Sequence, residues 1–123
     1  MFTGRVPPAD ARRAITATDI APIVRPESAV GLLVPPLKPL DAMAGGAALV
    51  LSDVPPLAEI AGRDRASLVR AGDRAALTAA FRTLIDHEDE RQAMVARAHA
   101  WATQERSWRA IAREMLSERD RPA

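Results

Sequence analysis

Prolines and glycines delimit one short helix before any other part of the chain can be placed. Pro35 and Pro36 bar a helix ahead of Leu37, whereas Pro39 stands where a first helical turn needs no N–H. Gly45 and Gly46 suit the left-handed conformation that ends a helix. Residues 37–44 are thereby predicted to form a short helix entered through a sharp turn. Its start is expected to leave the N–H groups of Leu37, Lys38 and Leu40 unpaired beside the Lys38 cation, a combination that suits phosphate. Lys38 and Asp41 are three apart and so take neighbouring positions on one face. A phosphate-seeking cation beside a hydroxyl-seeking carboxylate makes a grip for a sugar nucleotide. The plain alternative is an exposed pair on a surface helix. Lys38 is the single lysine among 17 basic residues, an arginine bias that gene composition explains.

On either side of this helix, short apolar runs alternate with helical patterns. Phe2 to Pro7 is expected to be the tail of a strand and the loop after it. Pro8 to Asp10 open a helix with Ala11, Ala14 and Ile15 inward. Asp19 to Val24 reads as a strand buried on both faces, with Pro22 interrupting its centre. Arg25 to Gly31 is turn-like, and Gly31 to Val34 is apolar but too short to classify. Ala47 to Ser52 is a second strand, and Pro56 or Leu57 begins a helix through Ile60. Ala66 to Arg70 is a third strand, closed by the turn at Ala71, Gly72 and Asp73.

Three amphipathic helices complete the chain. The first is capped by Asp73 and carries Leu77, Ala80, Phe81, Leu84 and Ile85 on one stripe. The second runs from Glu88 to Gln104, with Met94, Val95, Ala98, Trp101 and Ala102 inward. The third starts at a Ser107 cap and carries Trp108, Ile111, Ala112, Met115 and Leu116. The charged tail from Glu118 is expected to fray. Such alternation implies an α/β fold with a parallel sheet of about three strands, in which ligands bind outside the carboxyl ends of the strands. The loops over residues 25–37 and 52–56 qualify.

Composition removes several chemistries. There is no cysteine, hence no disulfide, thiolate metal site or cysteine nucleophile. A net charge of +1 provides no global field for nucleic acid. No apolar run approaches the roughly 20 residues that cross a bilayer. His87 and His99 lack a third metal ligand, and no serine sits in a Gly-x-Ser-x-Gly elbow. No glycine-rich phosphate loop is present. Trp101 and Trp108 read as core or interface anchors, and Glu27 and Glu59 are the carboxylates nearest the site after Asp41.

Pro36 to Gly46 resembles the Pro-Leu-Lys-Pro-Leu-Glu-Ala-Met-Ala-x-Gly block of GT-B glycosyltransferases of the family 4 type. Five further segments are similar in the same order: Phe2 to Val6; Asp19 and Ile20 with Arg25 and Pro26; Ala48 to Ile60; Leu68, Val69, Gly72, Asp73, Ala76 and Leu77; and Ser107, Trp108, Ile111 and Ala112. The resemblance implies an incomplete Rossmann-like donor domain over residues 1–72, with residues 73–123 as its C-terminal helices. It implies a retaining transfer from a nucleotide-sugar donor, in the cytoplasm, with no cofactor and no metal. By motif position Asp41 would hold the ribose, Leu37 and Leu40 would give backbone contacts, and Lys38 would lie near the phosphates. Arg25 and Glu27 would line the cleft.

Departures from the family pattern shape the expectation. Asp41 stands where Glu is usual, about 1.5 Å shorter in reach. Leu33 stands where many members carry a second Glu. A first domain and a basic pair that meets the diphosphate have no counterpart here. The chain is thus expected to be a C-terminal portion, inactive alone, with a missing N-terminal domain or partner chain completing the cleft. Nucleic acid is not an expected partner, and peripheral membrane contact is expected only through a full-length enzyme. The alternative is a non-catalytic module that associates through an exposed sheet edge and apolar helices. A nucleotide-sugar epimerase, similar in fold, is a third option.

Overall fold

The computed structural model describes residues 4–119. Its elements are α1 (Pro8–Thr16), β1 (Ile20–Ile23), α2 (Ala29–Leu33), α3 (Lys38–Ala44), β2 (Ala48–Ser52), α4 (Pro55–Ala61), β3 (Ser67–Val69), α5 (Arg74–Asp86), α6 (Glu88–Gln104) and α7 (Trp108–Arg119). The expected strand tail at Phe2 and Thr3, and the last residues of the charged tail, lie outside the described residues. The sheet is parallel, in the order β1-β2-β3, and the class is α/β as the alternation implies.

β2 organises the core because helices cover both of its faces. All five of its residues are buried. Leu49 and Leu51 face Met43, Leu57, Ile60, Ala98 and Ala102, from α3, α4 and α6. Ala48 and Val50 turn the other way, toward Leu77, Ala80 and Leu84 of α5 and Met94 and Val95 of α6. The period of two in this strand therefore sorts small and large apolar side chains between two layers. α6 touches both layers, which requires the broad apolar stripe read from its sequence.

Local chemistry sets the element ends. Asp73 caps α5 by accepting the Ala76 N–H at 2.8 Å, and Ser107 caps α7 by accepting the Ala110 N–H at 3.2 Å. α3 ends with Gly46 at φ +88, the left-handed position, while Gly45 keeps a helical φ of −77. The apolar stretch left unclassified is α2, capped by Ser28 through the Gly31 N–H at 3.1 Å. Gly31 is required by a close approach: a Cβ there would lie 2.4 Å from the Pro26 carbonyl oxygen.

Four sequence expectations need correction. Among the described residues β1 lies at the side of the sheet and is not buried on both faces: Ile20, Ala21 and Ile23 are half-buried and Pro22 is exposed. Ala14 of α1 faces solvent. Ile85 falls outside the α5 stripe and is 61% exposed. The stripe of α7 is largely uncovered, with Trp108 at 81%, Met115 at 67% and Leu116 at 54% exposure. A helical period reports a face, and whether anything packs on that face is a tertiary matter.

Candidate functional site

The site expected from sequence centres on the start of α3. Pro36 and Pro39 hold the approach, with Pro39 buried in the first turn. Among the described residues, the N–H groups of Leu37 and Lys38 have no backbone or side-chain acceptor. The Leu40 N–H differs from the expectation. It donates to the Leu37 carbonyl at 3.0 Å, because Leu37 takes helical angles and tightens the turn. Two free backbone donors remain where three were predicted.

Lys38 and Asp41 are both exposed, and neither forms an ion pair among the described residues. They share one side of α3 but open onto different spaces. Lys38 borders an apolar hollow of about 320 Å³ with Ile15, Thr18, Ala21, Ile23 and Ala42. Asp41 stands on the ridge between two others. One, of about 440 Å³, is walled by Pro8, Arg12, Ile15 and Thr16 of α1. The second, of about 450 Å³, is walled by Leu37, Leu40, Thr103, Arg106, Trp108 and Ile111. Asp41 therefore lines two cavities from one position, with an arginine in each wall.

Arg106 and Trp108 were missed by local pattern reading. The corner between α6 and α7, capped by Ser107, sets them in the wall of the hollow that Leu37, Leu40 and Asp41 also line. The signal available in the sequence was the Ser107 cap directly after an arginine and before a tryptophan.

Arg25 does not meet Asp41. Its backbone N–H donates to the buried Ser52 hydroxyl at 2.8 Å, and its Nη1 donates to the Val34 carbonyl at 2.7 Å. It borders a separate hollow of about 300 Å³ with Val24, Pro26, Gly72, Asp73, Arg74 and Leu77. Glu27 is exposed and lines none of the three hollows around Lys38 and Asp41. The structure thus groups Leu37, Leu40 and Asp41, places Lys38 beside them, and sets Arg25 and Glu27 apart. Among the described residues no group of three His, Asp or Glu side chains could hold a metal ion, and no helix is long and apolar enough to cross a membrane.

Comparison with known proteins gives two findings. The profile of a family described as glycosyl transferase-like matches residues 1–117. Among solved structures, the chain is similar to sucrose-phosphate synthase from Thermosynechococcus elongatus, with a TM-score of 0.74 at 19% identity. That match covers 96% of this chain and 29% of the other, so the chain spans less than a third of the length of the structure it resembles. The likeness is one of fold, a partial Rossmann-like sheet of the GT-B type. No curated protein sequence matches.

Proposed function

The chain belongs to the glycosyl transferase-like family, and from that premise we propose that it holds the nucleotide part of a nucleotide-sugar donor at α3. The observation that carries this is the Leu37 and Lys38 N–H groups and the Asp41 carboxylate, all without a partner among the described residues, with Asp41 lining two cavities. In this reading Lys38 and the two N–H groups meet the diphosphate. Asp41 accepts hydrogen bonds from the ribose hydroxyls, and the family's retaining transfer is carried out with a further domain or chain facing it across a cleft. Residues 1–72 act as the donor-binding part and residues 73–123 as the helices that support it. The reaction is cytoplasmic and needs no cofactor beyond the donor.

Calorimetric titration with a panel of nucleoside diphosphates and nucleotide sugars tests this. Binding is expected for at least one of them. Asp41→Asn removes the charge that accepts the ribose hydroxyls and is expected to weaken that binding roughly tenfold or more. Asp41→Glu restores the family's reach and is expected to retain or tighten it. An absence of binding across the panel, or equal affinity for the wild type and Asp41→Asn, would sink the assignment.

The second reading, a module that associates with a partner chain, is favoured by the exposed Trp108, Met115 and Leu116 on α7. Light scattering over a concentration range separates the two. A monodisperse chain that binds no hydrophobic dye counts against association.

A further inference from the structure

A helix of five residues does not persist on its own propensity, so α2 and the approach to α3 depend on ties to the rest of the molecule. Gly31 is the one buried residue of α2 among the described residues, so side-chain packing does not supply those ties. Polar groups do. At the start of α2 the Ser28 hydroxyl accepts the Gly31 N–H at 3.1 Å. At its end the Arg25 Nη1 donates to the Val34 carbonyl at 2.7 Å, an arginine tie on a last helical carbonyl. Arg25 is itself held from the core. Its N–H donates at 2.8 Å to the Ser52 hydroxyl, and Ser52 is 1% exposed at the end of β2.

The chain after Val34 has little freedom of its own. Val34 precedes a proline and takes the extended angles that this imposes, φ −107 and ψ 110. Pro35 and Pro36 each have a fixed φ and no N–H, so neither can donate a bond that ties the approach down. Leu37 then takes helical angles, φ −83 and ψ −26. Its carbonyl accepts the Leu40 N–H at 3.0 Å and the Asp41 N–H at 3.3 Å. Two prolines thus separate the carbonyl that Arg25 holds from the turn that presents the Leu37 and Lys38 N–H groups.

We propose that Arg25 is a positioning residue for the ligand site at α3. Held by Ser52 through its backbone, it fixes the Val34 carbonyl through its side chain and so presets the turn at Leu37 before a ligand arrives. The inference rests on the reading of α3 as the part that holds the diphosphate. A preset turn binds more tightly, because a ligand engages only the fraction of molecules in which the N–H groups already converge. Arg25 acts through Val34, since it borders a different hollow from Lys38 and Asp41. A guanidinium that met the phosphates directly would also add affinity, but its removal would leave the ligand-free turn unchanged.

Arg25→Met keeps the apolar stem and removes the donor, whereas Arg25→Lys keeps one donor. NMR of the ligand-free chain reads the turn. The helical Cα shifts of Leu37 and Leu40 are expected to move toward coil values in Arg25→Met and to be partly restored in Arg25→Lys, with the shifts of α5 unchanged. Calorimetric titration with UDP, GDP and ADP reads the consequence. Affinity for the tightest of the three is expected to weaken roughly three- to tenfold in Arg25→Met, and less in Arg25→Lys. A loss of stability alone would not change affinity below the unfolding transition. Leu37 and Leu40 shifts that stay at wild-type values in a folded Arg25→Met overturn the proposal, and a fall in affinity would then mark a direct contact. Altered shifts with unaltered affinity overturn it equally. A wild type that binds none of the three diphosphates defeats the donor reading and with it the ligand role of Arg25, while the shifts still decide whether Arg25 sets the turn.

Discussion

Two stretches that each carry several apolar side chains meet opposite fates in this molecule. Residues 47–51 are wholly buried, with both sides of β2 covered by helices. Between residues 24 and 37, six large apolar side chains are uncovered: Val24, Val30, Leu32, Leu33, Val34 and Leu37, at 41–77% exposure. The contrast separates burial that holds the fold from apolar surface that the fold does not use. The second stretch lies at the carboxyl ends of the strands and leads into α3. In this architecture that is where ligands and facing domains are met.

Core substitution sharpens the contrast most. Leu51→Ala is expected to destabilise the chain by about 2–5 kcal/mol. Leu33→Ala, which shortens a side chain that is 77% exposed, is expected to stay within about 0.5 kcal/mol of the wild type. Urea denaturation of both variants checks this, and similar losses would break the distinction. Gly31→Ala probes the one point where the exposed stretch is tightly built. The Pro26 carbonyl must move to admit the methyl group, at a cost of about 1–3 kcal/mol, read by the same denaturation. A silent substitution would mean that α2 floats freely.

Smaller effects are expected where the molecule's margins are tied down. The Arg65 guanidinium lies 4.0 Å from the Trp101 ring centre and donates to the Ile60 and Glu59 carbonyls at the end of α4. Arg65→Gln is expected to cost about 1–2 kcal/mol in thermal or urea denaturation. Trp108→Ser should leave stability within about 0.5 kcal/mol while lowering hydrophobic-dye binding. A large stability loss there would show that α7 is packed more firmly than an 81% exposed ring suggests.

The sequence was most legible where one local rule acted alone. Pro39 and Gly46 bracket α3, Asp73 and Ser107 cap their helices, and the apolar run at β2 is covered on both faces. Legibility failed where the outcome depended on a distant neighbour. The α7 stripe has the period of a buried face and nothing over most of it. α2 is five residues long, with a glycine whose reason is the Pro26 carbonyl outside the helix. At the candidate site, Asp41 could be singled out from its position near a helix start. Arg106 and Trp108 could not, because only the corner after α6 brings them to it. Arg25 had the right residue type and the right loop, but its guanidinium is bonded to the Val34 carbonyl.

That last bond gives the molecule a mechanical strut. Arg25 is anchored to Ser52 through its backbone and holds Val34 through its side chain. The carbonyl it grips belongs to the residue before the two prolines that aim α3. Proline pairs transmit direction because their φ angles are fixed. The approach to α3 is thus tied through Arg25 to the end of β2.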